Sequence, residues 1–242
     1  MDEEVYRIIP EEELYRRTGI QKAIYNTIYQ LMALKQQHPK EMEQAAALLM
    51  IPDYFHYRLC GAKVQEYSEA TTSQLVNPET RDWDYELIDR LGYNRAMFQK
   101  ICMPGTDIGG LTREVQELVG YDCRVVLPPT HDTASAVMAV PTNEDDICYI
   151  SSGTWSLMGV ERADADCSEQ SREANFTNEG GYRGRITYLT NIMGLWMIQS
   201  VRGQLAPDLS YGELCGLASR ETIETVVDCQ DARFLSPDDM VC

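Results

Sequence analysis

Apolar residues in the first 120 positions recur at helical spacing between Pro and Gly breaks, whereas beyond residue 123 they gather in short blocks. Ile20, Ile24, Ile28 and Leu31, flanked by Ala23, Thr27 and Leu34, make one stripe that stops before His38-Pro39. With Thr18 and Gln21 as a capping box, that stripe predicts a helix of about five turns. Pro39 opens a second helix through Met42, Ala45, Ala46, Leu49 and Met50, and Pro52 a third that ends near Gly61. Asn77-Pro78 marks a turn, Asp82 caps a helix closing at Gly92, and Met103-Pro104-Gly105 breaks the chain again. Thr112 to Val119 reads as a short helix closed by Gly120.

The blocks that follow predict strands. Cys123 to Leu127, stopped by Pro128-Pro129, suits a buried strand feeding a loop with Thr130, His131 and Asp132. Thr133 to Val140 is then a helix of small residues, and the polar break Pro141 to Asp146 is the expected domain boundary. Ile147 to Ser151 and Trp155 to Val160 predict two strands around a tight Ser152-Gly153-Thr154 turn. Glu161 to Asn178 reads as a surface excursion and Arg185 to Leu189 as a strand. Asn191 is expected to cap a helix running to about Val201, with a further helix from Tyr211 to Ser219. The order points to an α/β protein in two parts, residues 1–141 and 142–242.

Charge narrows the possible partners. With 21 Lys and Arg against 38 Asp and Glu in 242 residues, the net charge is -17. Such a surface repels nucleic acid and anionic lipid, so neither is expected as a partner. The longest apolar runs, Ala45 to Ile51 and Ile192 to Ile198, fall well short of the roughly 20 residues that cross a bilayer. No secretion signal opens the sequence, and a cytoplasmic location is expected. The eight cysteines lack framework spacing and read as reduced thiols, mostly small core fillers. His38, His56 and His131 have no ligand-type spacing, so no metal ligands are assigned. The aromatic cluster Tyr54 to Tyr57 reads as helix packing.

Three segments are candidates for chemistry. His131 and Asp132, after a strand and before a helix, sit where ligands bind in open α/β sheets, although Asp132 reads equally as an N-cap. Ser151-Ser152-Gly153-Thr154 offers backbone N–H groups and hydroxyls suited to phosphate, or forms an ordinary hairpin. Asn191 and Gln199 are spaced to line one cleft, or serve as a cap and a solvent-facing residue. Walker A, G-x-G-x-x-G and G-x-S-x-G motifs are absent from the sequence.

Taken together, several segments resemble the FGGY family of carbohydrate kinases, specifically its branch that phosphorylates L-rhamnulose. The likeness rests on Tyr15-Arg-Arg-Thr-Gly-Ile-Gln21, Asn26-Thr-Ile-Tyr-Gln-Leu31, Asp53-Tyr-Phe-His-Tyr-Arg-Leu-Cys-Gly61 and Ser68-Glu-Ala-Thr-Thr-Ser-Gln-Leu-Val-Asn77. It continues through His131-Asp132-Thr133-Ala-Ser-Ala136, Ser151-Ser-Gly-Thr-Trp155, Asn178-Glu-Gly-Gly181 and Asn191-Ile-Met-Gly-Leu-Trp196. The resemblance implies an actin-like, ribonuclease H-like α/β sugar kinase of two domains, with 1–141 belonging to the first, sugar-binding domain and 142–242 to the second, nucleotide-binding one. It implies ATP with Mg2+ as phosphate donor and L-rhamnulose as substrate. Asp132 would be the general base, with His131, Asp132, Thr133 and Asn191 contacting sugar and Gly153, Thr154 and Gln199 contacting the nucleotide. It also implies an internal fragment, without the N-terminal Gly-rich phosphate hairpin and the C-terminal adenosine-binding stretch of the family. The alternatives are a non-catalytic sugar-binding remnant and a kinase for a different ketose.

Overall fold

The computed structural model of the chain describes residues 1–142, 144, 147–153, 155–229, 231–234 and 239–241, with the backbone alone at 155 and 232. Helices α1 (Asp2–Tyr6) and α2 (Glu11–Thr18) each begin on three acidic residues, where the helix dipole favours negative charge. The five-turn helix expected from Thr18 does not form. Gly19, at φ 68°, ends α2, and the Thr18 hydroxyl donates back to the Leu14 carbonyl instead of capping forward. Residues 20–26 are instead tied to buried Gln74, whose amide donates to the Ile20 carbonyl (2.9 Å) and accepts from Asn26 Nδ2 (3.2 Å). Ile24 is consequently 79% exposed, and the helix starts only at α3 (Thr27–Gln37), which buries Ile28, Tyr29, Leu31 and Met32.

The second helix is also shorter than its pattern. After α4 (Pro39–Gln44) the backbone extends, because Leu48 N–H donates to the Met97 carbonyl in a bridge with Phe98. In α5 (Ile51–Cys60), closed by Gly61, the one buried side chain is Asp53; Tyr54 and Phe55 face solvent and are not the packing cluster expected. Strand β1 (Gln65–Glu66) leads directly into α6 (Tyr67–Thr71), and β2 (Val76–Asn77) forms a hairpin with β3 (Asp82–Trp83). Asp82 therefore belongs to a strand, and Asp84 caps α7 (Tyr85–Arg90) by accepting from Leu87 N–H. Arg17 holds Asp84 in a two-pronged pair at 2.8 Å for each contact.

Strand β4 (Ile101–Cys102) pairs in parallel with β1, and β5 (Asp107–Gly110) pairs antiparallel with β6 (Arg124–Val126) on either side of α8 (Arg113–Val119). β6 is half-buried rather than buried, with Val125 inward and Val126 outward, because a two-stranded ribbon leaves one face to solvent. Next come α9 (Asp132–Met138), β7 (Cys148–Ser152) and β8 (Trp155–Arg162). The expected surface excursion holds α10 (Glu169–Glu173) and β9 (Phe176–Gly180), with Ser171, Thr177 and Asn178 buried. Protein partners replace water there: Tyr15 donates its hydroxyl to the Phe176 carbonyl (2.7 Å) and lies 2.8 Å from Ser171 Oγ. Strand β10 (Ile186–Met193) contains Asn191, and α11 (Leu195–Leu205) starts after Gly194, so Asn191 is not a helix cap. α12 (Tyr211–Ala218) has a full capping box from Ser210 and Glu213.

Two compact units result. The first comprises Met1–Cys148 and Val160–Leu189, and the second Tyr149–Gly159 and Thr190–Cys242. The order of the four-stranded sheet is β7-β8-β10-β9, and the division falls within β7, β8 and β10. The first unit has a core of Val5, Ile9, Leu14, Ile28, Tyr67, Leu75, Leu87, Ile88 and Leu91. No helix among the described residues is long and apolar enough to cross a membrane. Of the cysteines, Cys102 is buried whereas Cys123, Cys148 and Cys215 are exposed: Cys123 precedes β6, Cys148 opens edge strand β7, and Cys215 lies on α12.

Candidate functional site

In the first unit the His131-Asp132 turn is built on a buried carboxylate. Glu66, fully buried, is the N-cap of α6 and accepts from the N–H groups of Ser68 (2.9 Å) and Glu69 (3.1 Å). It also accepts from the Ser68 hydroxyl (2.5 Å) and from both the N–H (3.0 Å) and hydroxyl (2.7 Å) of Thr130. A buried charge is tolerated only with such a set of donors. The Ser68 hydroxyl in turn accepts the His131 N–H at 3.2 Å, so consecutive peptide groups of the turn are anchored to α6. Beneath them, Asp53 Oδ1 accepts the Glu66 N–H at 3.0 Å. Burial pushes the Asp53 carboxyl up to about 7, against hydrogen bonds from the Glu66 and Met50 backbone, with the Glu66 charge adding to the rise.

His131, not Asp132, is the N-cap of α9, and its carbonyl accepts Ser135 N–H at 3.0 Å. Asp132 is the first helical residue. Its carboxylate accepts Thr133 N–H (2.6 Å) and the Thr133 hydroxyl (3.4 Å), and the side chain is 96% exposed. Thr133 itself is buried. The His131 ring is 22% exposed; its Nε2 lies 3.6 Å from Asp132 Oδ1 and its Nδ1 3.1 Å from Glu179 Oε2. Burial works against a charge on this ring. The contact with Glu179 and the nearby Glu69 and Asp132 carboxylates outweigh it and hold the imidazole at about 9. The turn therefore presents an exposed carboxylate beside a protonated histidine.

In the second unit the Gly153 carbonyl accepts Leu195 N–H at 3.1 Å, which ties the turn after β7 to the start of α11. Gln199 lies on α11, exposed, and Asn191 is exposed near the end of β10. Thr154 lies outside the described residues, as do residues 143, 145 and 146 of the expected domain boundary. His131, Asp132 and Thr133 thus form one turn, and Gly153 meets the beginning of the helix that carries Gln199. Sequence reasoning missed Asp53, Glu66 and Glu179 as supporting groups. Glu179 stands in the quoted Asn178-Glu-Gly-Gly181 segment, but nothing in the periodicity marks a buried carboxylate as a partner of a distant histidine.

Residues 3–139 match the N-terminal domain of the FGGY family of carbohydrate kinases, and residues 148–240 match its C-terminal domain. The chain belongs to the FGGY family of carbohydrate kinases. Among curated FGGY relatives, a rhamnulokinase of Oceanobacillus iheyensis is 49% identical over 241 residues, covering 100% of this chain and 51% of that protein. One from Halalkalibacterium halodurans is 50% identical over 239 residues, covering 99% and 51%. The chain spans about half the length of the curated relatives it matches. A ligand-bound xylulose kinase from Lactobacillus acidophilus superposes with a TM-score of 0.80 at 21% identity, covering 91% of this chain and 45% of that one. The Plasmodium falciparum glycerol kinase with ADP gives 0.73 at 13% identity, covering 91% and 46%. The fold is that of the actin-like, two-domain FGGY sugar kinases.

Proposed function

We propose that this chain carries the central part of an ATP-dependent kinase that phosphorylates the 1-hydroxyl of L-rhamnulose. The observation that carries the reading is the turn of the first unit, where the exposed Asp132 carboxylate stands beside the His131 imidazole. Asp132 is the general base: it takes the proton of the sugar hydroxyl as that oxygen bonds to the γ-phosphorus of ATP and the bond to ADP breaks. His131 donates hydrogen bonds and, held in its charged form, leaves the role of base to the carboxylate. His131, Thr133 and Asn191 contact the sugar, while Gly153, Thr154 and Gln199 contact the nucleotide.

Residues 1–141 belong to the sugar-binding domain and 142–242 to the nucleotide-binding domain. Mg2+ neutralises the phosphate charge during transfer. It is expected to arrive on ATP. Cytoplasmic sugar breakdown fits the acidic surface, with neither nucleic acid nor membrane as a partner.

The experiment is an ADP-release assay on the protein carrying this chain, with L-rhamnulose and a panel of other ketoses. L-rhamnulose should give the highest kcat/KM. Preference for another ketose would reassign the substrate, and sugar binding without ADP release would point to a binding protein.

A further inference from the structure

Glu179 has no place in the chemistry above, yet both of its neighbours in the chain are held by hydrogen bonds. On its N-terminal side, Asn178 donates its N–H (2.9 Å) and its side-chain amide (3.0 Å) to the Gly19 carbonyl. The same amide donates to the Asp166 carbonyl (3.0 Å) and accepts Asp166 N–H (2.7 Å). On its C-terminal side, Gly180 N–H donates to the Thr71 hydroxyl at 2.8 Å. A Cβ at Gly180 would come within 2.7 Å of the Tyr67 ring, so the strand lies flat against α6. Both neighbours of Glu179 are fixed, which gives its side chain a rigid base.

From that base Glu179 Oε2 reaches His131 Nδ1 at 3.1 Å. Both atoms are buried, neither has a hydrogen-bond partner among the described residues, and the ion pair is the contact each makes. We propose that Glu179 is a positioning residue that holds the His131 imidazole by Nδ1 and so turns Nε2 toward Asp132. A neutral imidazole carries one N–H, and an imidazolium carries two. With a carboxylate near each nitrogen the ring keeps both protons and presents an N–H on each side. The other charged group facing the ring is Glu69 of α6; Asp132 faces it from α9, and Glu66 lies behind the backbone of the turn. Glu179 thereby keeps an N–H donor beside the base, where it can meet a sugar oxygen without competing for the proton.

The consequence for sugar binding rests on the kinase reading, but the contact itself is tested without substrate. The histidine rings of the 242-residue chain are followed by NMR from pH 5 to 10, with His131 assigned by comparison with H131Q. His131 should titrate at about 9, E179Q should lower that midpoint, and E179D should restore much of the rise. A wild-type midpoint at or below 6.5, or one unmoved by E179Q, overturns the proposal; the wild-type titration alone can do so if the variants fail to fold. In the kinase assay E179Q should raise the sugar KM about tenfold and leave the ATP KM within about twofold. An unchanged sugar KM in an active enzyme would equally overturn it, whereas absence of kinase activity in the wild type would count against the kinase reading and leave the titration standing.

Discussion

Asp53 has no solvent exposure, and its Oδ2 has no hydrogen-bond partner among the described residues. Both facts favour the neutral acid, which is why burial raises it to about 7. A carboxyl whose folded value exceeds its unfolded value of 3.8 contributes stability that is complete below 3.8 and lost as pH rises through 7. His131 has the same sign at higher pH, its contribution being complete below 6.5 and lost through about 9. Urea unfolding of the wild-type chain should therefore show stability falling between pH 5 and 8, by on the order of 2–4 kcal/mol from Asp53. Asp53→Asn, neutral at every pH, should remove most of that slope, and an unchanged slope would assign it to other groups. Glu66 differs in that both of its carboxyl oxygens accept hydrogen bonds. Glu66→Ala should cost about 3–5 kcal/mol in the same unfolding experiment, since five donors lose one buried acceptor.

At the scale of elements, the chain's own punctuation decided more than its periodicity. Pro39, Pro52, Gly61, Thr112 and Gly120 mark helix ends in the sequence and do so in the structure. The stripe from Ile20 to Leu34 fails because Gly19, Gln74 and Asn26 supply long-range hydrogen bonds that a local pattern cannot contain. Asn191 fails as a cap because the strand continues to Met193. The turn of His131, Asp132 and Thr133 was legible because Pro128-Pro129 stops one element and small residues begin the next. Its supports were not, since Glu66 and Glu179 reach it from 64 and 48 positions away in sequence. Gly19 shows how such a long-range join can be tested. A Cβ there would lie 2.8 Å from Asn178 Nδ2 and 2.9 Å from Cys167 Sγ, whereas at Gly120, also left-handed, nothing lies within 4 Å. Gly19→Ala should therefore destabilise by about 3 kcal/mol and Gly120→Ala by about 1 kcal/mol. Equal losses in thermal unfolding would mean that the contact of Gly19 with β9 contributes nothing.

Across the whole molecule, the two units differ in how much apolar surface they bury. α11 and α12 contain no buried residue, and Leu195, Ile198, Leu205 and Leu217 are exposed, whereas α3 and α7 feed the core of the first unit. Stability follows buried apolar contact, so amides of 195–205 and 211–218 should exchange with deuterium well before those of 27–37 and 85–90. Uniform protection would contradict that view of the second unit. The chemistry assigned to the first unit depends on one oxygen-bearing side chain. Asn at position 132 is nearly the same shape and keeps an acceptor for Thr133, but it cannot take a proton. The deciding measurement is kcat for ATP-dependent phosphorylation of L-rhamnulose by Asp132→Asn in the protein carrying this chain, taken with its melting temperature. The expected result is a fall of about 10²- to 10⁴-fold with the melting temperature unchanged; turnover near the parent rate would remove Asp132 from the mechanism.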